Sequence, residues 1–341
     1  MSVSSWTGRR VLVTGGASFI GSHLVEALVE RGASVRIADD FSSGSRDNLG
    51  ASLLDELDVV EGDLRDSHVC RRAMRDRAVV FHLAADHGGR GYVALNQSGP
   101  ASNLLLDGMV FHEARRAGVE QVVFASSGCV YPNHLQANPK QELYLTEDLV
   151  RPPYDADNMY GYAKLMGELT LQAYAREHGM RTASCRYFTV YGSRGRENHA
   201  VIAMIARAFV NQTPFDLWGD GTQIRNWTHV DDIVRGTILA AERIHDGTAV
   251  NLGTSERIMV RDAAEHILRL FGRTTPIRYL EDMPTGPLNR VADNQLARRL
   301  LNWEPRVAFH DGVARTAAWY RATQHVEDVR QLLASGGLIN R

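Results

Sequence analysis

The chain has few cysteines, almost no net charge and no long apolar run, and each absence excludes a class of protein. Its three cysteines lie far apart and lack metal-type spacing, which indicates free thiols in a reducing compartment rather than a disulfide framework. A formal net charge of −2 provides no basic field for nucleic acid or an anionic membrane. No apolar run approaches the ~20 residues that cross a bilayer. We therefore expect no metal, no nucleic-acid partner and no membrane partner.

The rest of the composition is ordinary for a globular protein. Hydrophobic residues make up 44% and charged residues 23% of the 341 positions, which is enough chain for two domains or one large α/β domain. The segment 1–6 is polar and lacks the apolar core of a signal peptide, so we expect a cytoplasmic location.

Short β-branched runs alternate with helical segments through the first half of the sequence. This alternation predicts an α/β fold with a Rossmann-type, doubly wound parallel sheet and helices on both faces. After Arg186, loops rich in glycine, proline and asparagine predict a smaller C-terminal substrate domain. The predicted strands are 10–14, 34–38, 59–63, 78–83, 121–126 and 248–252, and the predicted helices are 19–31, 104–117, 160–178 and 230–245. The predicted Rossmann domain is 1–187, which 226–253 rejoin, and the predicted substrate-binding domain is 188–225 with 254–341.

A glycine-rich turn, residues 14–21 (TGGASFIG), joins the first predicted strand to the first helix. Glycines permit a tight turn and a close approach to a pyrophosphate, and the helix N-terminus offers free N–H groups. Such a loop can be a plain turn, but Asp39 ends the second strand 18 residues after Gly21, near the ~20 at which an acid meets an adenosine ribose. A carboxylate there repels a 2′-phosphate and favours NAD over NADP, the alternative for Asp39 being a solvated turn. Ser18 stands where a GxGxxG loop has its middle glycine, and it adds a hydroxyl beside the expected phosphate.

Three side chains after this loop are typical of hydride chemistry. Tyr160 and Lys164 are four residues apart and share a helix face, and Ser127 ends a buried predicted strand. An ammonium and a cationic nicotinamide lower the pKa of a phenol from ~10, so that Tyr160 can act as a base. Ser127 is placed to hold a substrate hydroxyl, because open α/β sheets bind ligands at the carboxyl ends of their strands. The alternative is that Tyr160 and Lys164 are ordinary surface residues of a helix.

Cys129 follows Ser127 by two residues and points to a second proton transfer. A thiol has a pKa of ~8.5 when free and can serve as acid or base where its surroundings tune it. The alternative is a small buried hydrophobic residue, because free cysteine is among the most buried residue types.

Taken together, these motifs resemble the extended short-chain dehydrogenase/reductase family of nucleotide-sugar epimerases and dehydratases. The resemblance extends from Arg9 to about Trp319. It implies NAD as cofactor, a nucleotide-diphosphate sugar as substrate and a homodimer formed through the helices at 100–117 and 160–178. The matching segments are residues 14–21, 39–40, 62–66 (GDLRD), 82–85 (HLAA), 126–127, 160–164 (YGYAK), 186–188 (RYF) and 219–225 (GDGTQIR).

The resemblance also implies a set of site residues. Asp63 and Leu64 are expected to flank the adenine, and Ala84 to lie by the cofactor ribose. Arg225 and Arg290 are expected to reach the diphosphate, the alternative for both being a surface ion pair. The implied catalytic residues are Ser127, Cys129, Tyr160 and Lys164. The implied cofactor-binding residues are Gly15, Ser18, Phe19, Ile20, Gly21, Asp39, Asp63, Leu64, Ala84, Asn103, Tyr160 and Lys164. The implied substrate-binding residues are Gly88, Gly89, Thr189, Arg196, Arg225 and Arg290.

Two departures from the family pattern bear on the reaction. Members usually carry asparagine after Arg-Tyr-Phe, where it contacts the diphosphate, but this chain has Thr189. The 4,6-dehydratases carry an Asp-Glu pair after the catalytic hydroxyl, and here those positions are Gly128 and Cys129. Without that pair no carboxylic acid is placed to expel the C6 hydroxyl, which argues against a 4,6-dehydratase.

Two segments, residues 83–92 and 126–132, look like those of the GDP-mannose 3,5-epimerase subfamily. The resemblance implies that the glycine-rich loop lies over the sugar and that Cys129 exchanges protons at ring carbons. That subfamily uses a partner lysine in the loop after its Tyr-Gly, whereas residues 191–199 contain none and look more like a UDP-sugar 4-epimerase. His199 is the nearest residue that titrates near neutral pH, the alternative being a merely solvated loop histidine.

These observations lead to one hypothesis and two alternatives. The hypothesis is an isomerase: an NAD-dependent nucleotide-sugar epimerase that forms a transient 4-keto sugar, with proton exchange by Cys129 at C3 or C5. The first alternative is a 4-epimerase of the UDP-hexose or UDP-hexuronate type, in which Cys129 is only structural. The second is a non-catalytic member of the family that senses NAD, against which the intact serine, tyrosine and lysine argue.

Overall fold

In the computed structural model, which describes residues 5–336, strands and helices alternate along most of the chain. The strands are β1 Arg10–Thr14, β2 Ser34–Asp39, β3 Asp58–Glu61, β4 Val79–His82, β5 Gln121–Ser127, β6 Arg181–Tyr187, β7 Val190–Tyr191, β8 Phe215–Trp218, β9 Ile224–Arg225, β10 Thr228–His229, β11 Asp246–Leu252, β12 Ile258–Met259, β13 Ile277–Leu280 and β14 Asn289–Arg290. The α-helices are α1 Phe19–Glu30, α2 Ala51–Glu56, α3 Ser67–Met74, α4 Arg90–Leu95, α5 Ser98–Ala101, α6 Asn103–Arg116, α7 Asn158–His178, α8 Ala200–Phe209, α9 Val230–Arg243, α10 Val260–Leu270, α11 Gln295–Leu301, α12 Phe309–Thr323 and α13 Val326–Ala334. Turns of 3₁₀ helix cover Arg46–Leu49, Gly128–Val130, Asn133–Gln136 and Glu147–Leu149.

Seven of these strands form one sheet in the order β11-β6-β5-β4-β1-β2-β3, and all neighbours in it run parallel. Thr14, the last residue of β1, pairs with Ala38 of β2 on one side and with His82 of β4 on the other. The strand order therefore reverses at β1, and a crevice opens there beyond the carboxyl ends of the strands. The predicted Rossmann-type α/β fold is confirmed.

The central strands are apolar on both faces because helices cover both sides of the sheet. Val11, Val13 and Phe81 pack in a core shared with α1 and α9, while Leu12 and Val80 face a second core beneath α3 and α6. This packing explains why the strands appear in the sequence as continuous apolar runs rather than as alternating ones.

The chain returns to the sheet after its first C-terminal excursion. The helix predicted at 230–245 is α9, and the strand predicted at 248–252 is the end of β11, which pairs with β6. Beyond it, α11 packs against α9, and its Ala297 and Leu301 belong to the core of the sheet. The division at residue 254 stays a prediction.

A separate core forms where α8, α10 and α12 meet. Ile205, Ile267 and Phe309 are fully buried in it, and the β8–β13 pair lies beside it, with Phe215 and Leu217 facing inward. This C-terminal lobe provides the far wall of the site described below, while the sheet provides the near wall.

Two features are absent from residues 5–336. None of the helices there combines the length and the apolar character of a membrane span. The same residues contain no group of three or more histidine, cysteine or acidic side chains placed to hold a metal ion.

Candidate active site

The turn after β1 is tight enough to require glycine at two of its positions. Gly15 has φ +69°, and a Cβ on it would lie 2.9 Å from the backbone nitrogen of Ala84. A Cβ on Gly21 would collide with the carbonyl oxygen of Gly15. The Ser18 hydroxyl donates to that same carbonyl at 2.5 Å, so its side chain turns back onto the loop. The departure from GxGxxG is thus accommodated within the turn itself.

Asp39 joins this turn to the end of β2. Its carboxylate oxygens accept from the backbone N–H groups of Ala17 and Phe41, both at 2.9 Å. Burial raises the pKa of Asp39, against these two hydrogen bonds, which act to lower it. The carboxylate lies in the wall of a cavity, and its predicted contact with an adenosine ribose stays a prediction.

The cavity beside Asp39 contains most of the predicted adenosine contacts. Its wall includes Gly15, Ser18, Asp39, Asp63, Leu64 and Ala84. Asp63 pairs with Arg65 at 2.7 Å across the mouth. Asn103 is not among the lining residues. Its side-chain oxygen accepts from the backbone N–H of Asp86 at 2.6 Å, and its side-chain nitrogen donates to the backbone carbonyl of Asp86 at 2.9 Å. Asn103 therefore supports the loop after β4 from below, and its predicted contact with the cofactor remains a prediction.

A larger cavity of about 370 Å³ continues from the first, and the two share Ser18, Ser43, Leu83, Ala85 and His87. It runs between the carboxyl edge of the sheet and the C-terminal lobe. Its wall brings together predicted residues from every part of the chain: Phe19, Ile20, Gly88, Gly89, Ser127, Cys129, Tyr160, Lys164, Thr189, Arg196, Arg225 and Arg290. The roles assigned to them stay predictions, but their common location agrees with one site.

Tyr160 and Lys164 project from the first turns of α7 toward the end of β5. The Tyr160 phenol shares a hydrogen bond with Ser127, and the Lys164 ammonium lies 5.9 Å from the centre of the phenol ring. Burial raises the pKa of Tyr160, assisted by the charges of Cys129 and Asp107, against the bond with Ser127. The prediction that an ammonium and a cationic nicotinamide lower this pKa stays a prediction, because neither of those charges is among the causes of this rise.

Asp107 was missed by the sequence interpretation. It lies on α6 beneath Lys164, whose pKa burial lowers while the Asp107 carboxylate opposes that effect. His82 links Asp107 to the cofactor turn: its Nε2 lies 3.0 Å from the carboxylate and its Nδ1 2.7 Å from the Thr14 hydroxyl. Burial lowers the pKa of His82. This fully buried chain of side chains connects the Tyr160–Lys164 helix to the end of β1.

Cys129 lies in the 3₁₀ turn after β5, on the same cavity wall as Tyr160. Its sulfur accepts from Nη1 of Arg290 at 3.2 Å. Arg290 comes from β14, which pairs in parallel with β9 so that Arg290 stands directly beside Arg225. Burial lowers the pKa of Arg225 to about 9, and the charges of Arg290 and Arg90 add to that effect. The thiol therefore faces a concentration of guanidinium groups.

The wall opposite the sheet is built from two loops. The glycine-rich loop at residues 88–91 is packed so closely on the loop at 196–199 that a Cβ on Gly89 would collide with the Asn198 carbonyl. His87 and His199 face each other across this contact, with their ring centres 6.2 Å apart. Burial, together with the charges of His87 and Arg196, lowers the pKa of His199 to about 3. An imidazole in this environment is neutral at physiological pH.

A dinucleotide-binding sheet with a serine, a tyrosine and a lysine at its carboxyl edge defines a short-chain dehydrogenase/reductase. The chain belongs to the NAD dependent epimerase/dehydratase family, whose family model matches residues 11–253. NAD is its cofactor, as the sequence predicted, and the residues fit it. The tight turn leads into the N-terminus of α1, which offers N–H groups to a pyrophosphate, and Gly15, Ser18 and Asp39 line the adjoining cavity.

The relatives of this chain are named for different reactions. The chain is 30% identical to GDP-mannose 3,5-epimerase 1 of Oryza sativa subsp. indica over 317 residues. This alignment covers 92% of the present chain and 82% of the relative. The chain is 31% identical over 363 residues to UDP-glucose 4-epimerase of Azospirillum brasilense, covering 97% of both. Among solved structures, UDP-glucose 4-epimerase of Thermus thermophilus in complex with NAD matches with a TM-score of 0.82 at 28% identity, over 92% of this chain and all of that one. A 3,5-epimerase and a 4-epimerase match this chain at nearly equal identity. The comparisons therefore show the family but not which nucleotide sugar is the substrate.

Proposed function

We propose that this protein is a nucleotide-sugar epimerase that oxidises C4 of the sugar transiently and exchanges protons at C3 or C5. The observation that carries the proposal is the position of Cys129. Its thiol shares one cavity wall with Ser127 and Tyr160 and accepts a hydrogen bond from Arg290. A group able to move a proton thus lies beside the groups able to support hydride transfer.

The first step is assigned to the α7 pair. NAD, which Gly15, Ser18 and Asp39 would hold, would supply a reversible acceptor for the C4 hydride. Ser127 holds the C4 hydroxyl, and Tyr160 takes its proton as the C4–H electron pair leaves, which produces a ketone. Lys164 stabilises the phenolate by its charge, and Asp107 below it favours the ammonium form.

The second step is assigned to Cys129. A ketone at C4 acidifies the C–H bonds at C3 and C5, and the Cys129 thiolate takes one of these protons while the electron pair moves to the C4 carbonyl. A proton delivered to the opposite face then restores the C–H bond with inverted configuration. Arg290, which donates to the sulfur, favours the thiolate by its charge.

His199 is the proposed partner on the opposite face. The whole sequence contains only two lysines, Lys164 in the hydride pair and Lys140. Lys140 is exposed in the loop after the Asn133–Gln136 turn and is not among the residues that line the cavity. His199 lines the cavity and packs against His87, and the negative charge of a bound nucleotide diphosphate would raise its pKa from the value of about 3 in the free site, so that this imidazole can carry the proton.

The same wall argues against dehydration. Glu197 is the one carboxylate among the residues that line the larger cavity within the described chain, and it accepts from the Tyr320 hydroxyl at 2.8 Å. The positions at which the dehydratases carry their acid pair hold Gly128 and Cys129. A thiol is too weak an acid to expel a hydroxyl from C6 as a carboxylic acid does.

Turnover in deuterium oxide tests the proposal. Purified protein is supplied with NAD⁺ and a panel of GDP- and UDP-sugars, and the recovered sugars are analysed by proton NMR. Label at C3 or C5 together with inversion at that carbon is the expected result. Inversion at C4 without label would instead identify a 4-epimerase with an idle thiol, an outcome that the lysine-free loop at 191–199 favours. No turnover on the whole panel, despite NAD binding, would point to a sensor.

We also propose that the protein forms a homodimer through α6 and α7. These helices and the neighbouring α4 expose apolar side chains: Leu95 64%, Leu104 44%, Leu105 56%, Tyr162 39% and Met166 47%. Leu105→Glu is expected to shift the sedimenting species from dimer to monomer, because it places a charge in the apolar patch. Leu300→Glu, at an exposed leucine of α11, is the matched control and should leave the dimer intact. A wild-type protein that sediments as a monomer would contradict the proposal.

A further inference from the structure

Asp157 lies at the junction between the hydride pair and the thiol. It immediately precedes α7, and its backbone N–H donates to the Cys129 carbonyl at 2.8 Å. Its carboxylate is almost completely buried, and one oxygen, Oδ2, accepts from Arg90 Nη1 at 2.8 Å and from Arg290 Nη2 at 3.1 Å. The Asp157 carboxylate therefore joins the guanidinium groups of Arg90 and Arg290, which come from distant segments of the chain.

The guanidinium of Arg290 is held on three sides. Its Nε donates to the Gln136 side chain at 2.7 Å, its Nη2 donates to Asp157, and its Nη1 donates to the Cys129 sulfur. A planar fork fixed at two of its nitrogens has little freedom at the third. The contact with the sulfur is thus set by the other two bonds.

We infer that Asp157 is a positioning residue for proton transfer by Cys129: it holds the Arg290 guanidinium against the sulfur and prevents Arg90 from driving it away. The inference deepens the function proposed above and rests on it. Asp157 does not touch the reacting atoms in this scheme. It acts through Arg290.

The charges around the thiol explain why one carboxylate has this effect. Arg90 from α4, Arg225 from β9 and Arg290 from β14 lie around Asp157, and Tyr160 from α7 also faces Cys129. Burial alone would raise the pKa of Asp157, but the charges of Arg290 and Arg90 outweigh it and lower it.

Asp157 is the carboxylate that bridges this group. Without its charge, the repulsion among the guanidinium groups is unrelieved, and Arg290 loses one of its two fixed bonds.

Arg90 extends this arrangement to the glycine-rich loop. Its side chain packs against Gly286, where a Cβ would lie 2.8 Å from Nε. That Nε is buried and has no acceptor among the described residues, so the bond from Nη1 to Asp157 fixes the orientation of this guanidinium. Asp157 therefore also ties the loop predicted to cover the sugar to the residue predicted to exchange its proton.

The direction of one pH shift separates positioning from a simple effect of charge. If Asp157 acted on the thiol only through space, its removal would favour the thiolate, because a negative charge would be lost nearby. If it positions Arg290, its removal takes a cation away from the sulfur and disfavours the thiolate. The two interpretations predict shifts of opposite sign.

Alkylation by iodoacetamide at a series of pH values measures this shift without any turnover. The rate at Cys129 is followed by peptide mass spectrometry. Cys70 and Cys185 are fully buried, and burial raises the pKa of each to about 12, so neither thiol competes. In Asp157→Asn the midpoint of the rate profile is expected to move up by about one pH unit, with a tenfold lower rate below it. Asp155→Asn is the control, since its carboxylate is 43% exposed and pairs with His134.

Arg290→Lys provides a second variant in case Asp157→Asn does not fold. It retains the cation but lacks the fork that reaches Asp157 and the sulfur together, so the midpoint should again rise. A midpoint that stays unchanged or falls in a folded variant overturns the inference. Because alkylation requires neither sugar nor NAD, such a result would leave the epimerase proposal to be decided by deuterium exchange alone.

Discussion

The two pairs of side chains in this cavity are assembled in different ways. Tyr160 and Lys164 lie four residues apart on α7, and the helix itself sets their geometry. Cys129 and Arg290 are 161 residues apart and meet only because β14 is packed against the turn after β5. The geometry of Tyr160 and Lys164 is set within one helix and is insensitive to most changes elsewhere in the fold. The contact between Cys129 and Arg290 depends instead on the packing of the elements that bring them together.

The electrostatic surroundings of the two pairs differ as well. Burial raises the pKa of Tyr160 and lowers that of Lys164, so the protein interior favours the neutral form of both. Beside Cys129, the guanidinium groups of Arg90 and Arg290 share the single carboxylate of Asp157, and Arg290 also donates to the sulfur. The hydride pair thus depends on added positive charge to ionise its phenol, while the thiol pair has that charge built in.

Removal of the phenolic hydroxyl should have the largest effect and should abolish the reactions of both pairs. Tyr160→Phe eliminates the base for C4 oxidation, and turnover is expected to fall by ~10²- to 10⁴-fold. Deuterium exchange at C3 and C5 should fall with it, because no ketone forms to acidify those bonds. Titration with NAD checks that the cofactor still binds. Exchange that persists in this variant would show that the thiol works without prior oxidation.

Removal of the Cys129 thiol should abolish proton exchange at C3 and C5 and leave the oxidation of C4 intact. In Cys129→Ser, deuterium incorporation at C3 and C5 is expected to fall by at least ~100-fold, because an alcohol is a far weaker acid and base than a thiol. The hydride pair is intact, so NADH absorbance should still appear when substrate is added. Persistent exchange in Cys129→Ser would contradict the role of the thiol, and loss of NADH formation would show that the two pairs are not independent.

A smaller effect, on the preference for NAD over NADP, is expected from a change at Asp39, in the wall of the predicted adenosine cavity. Asp39→Asn loses the charge that repels a 2′-phosphate and one of two acceptors for backbone N–H groups. The preference for NAD over NADP, measured by titration with both, should fall about tenfold. Asp40→Asn is the neighbouring control, since its carboxylate is exposed and accepts from Ser42. Equal losses in the two variants would contradict a specific role of Asp39, and alkylation of Cys129 should be unchanged in both.

The local features of this fold and site could be predicted from the sequence. The predicted strand at 34–38 ends one residue later at Asp39, and the helix predicted from Tyr160 begins at Asn158. Periodicity and punctuation by glycine report such elements directly, because both arise within a few residues of chain. The fold, the family and NAD as cofactor follow from these local patterns.

The remote contacts could not be predicted in the same way. Asp157 and Arg290 are 133 residues apart, and no pattern in either segment indicates the other. Asp107 lies within an otherwise ordinary amphipathic helix, and its effect on Lys164 depends on how α6 packs on α7. The burial of the Tyr160 phenol, which raises its pKa, was missed for the same reason, since burial depends on all the elements that surround the phenol.

The smallest effect concerns the histidine proposed as partner to the thiol. The pKa of His199 is lowered from 6.5 to about 3 in the folded protein. Between those values the unfolded chain binds a proton that the folded chain does not, so stability is fully present above pH ~6.5 and declines as the pH falls. His199→Gln removes this linkage, and its unfolding free energy should lose about 1 kcal/mol less than that of the wild type between pH 7 and 5.5.

Urea denaturation at the two pH values measures the difference, with His178→Gln at the exposed end of α7 as the control for the change of residue type. Equal losses in His199→Gln and the wild type would mean that folding does not shift the pKa of His199, which would contradict the desolvation of this imidazole in the cavity wall.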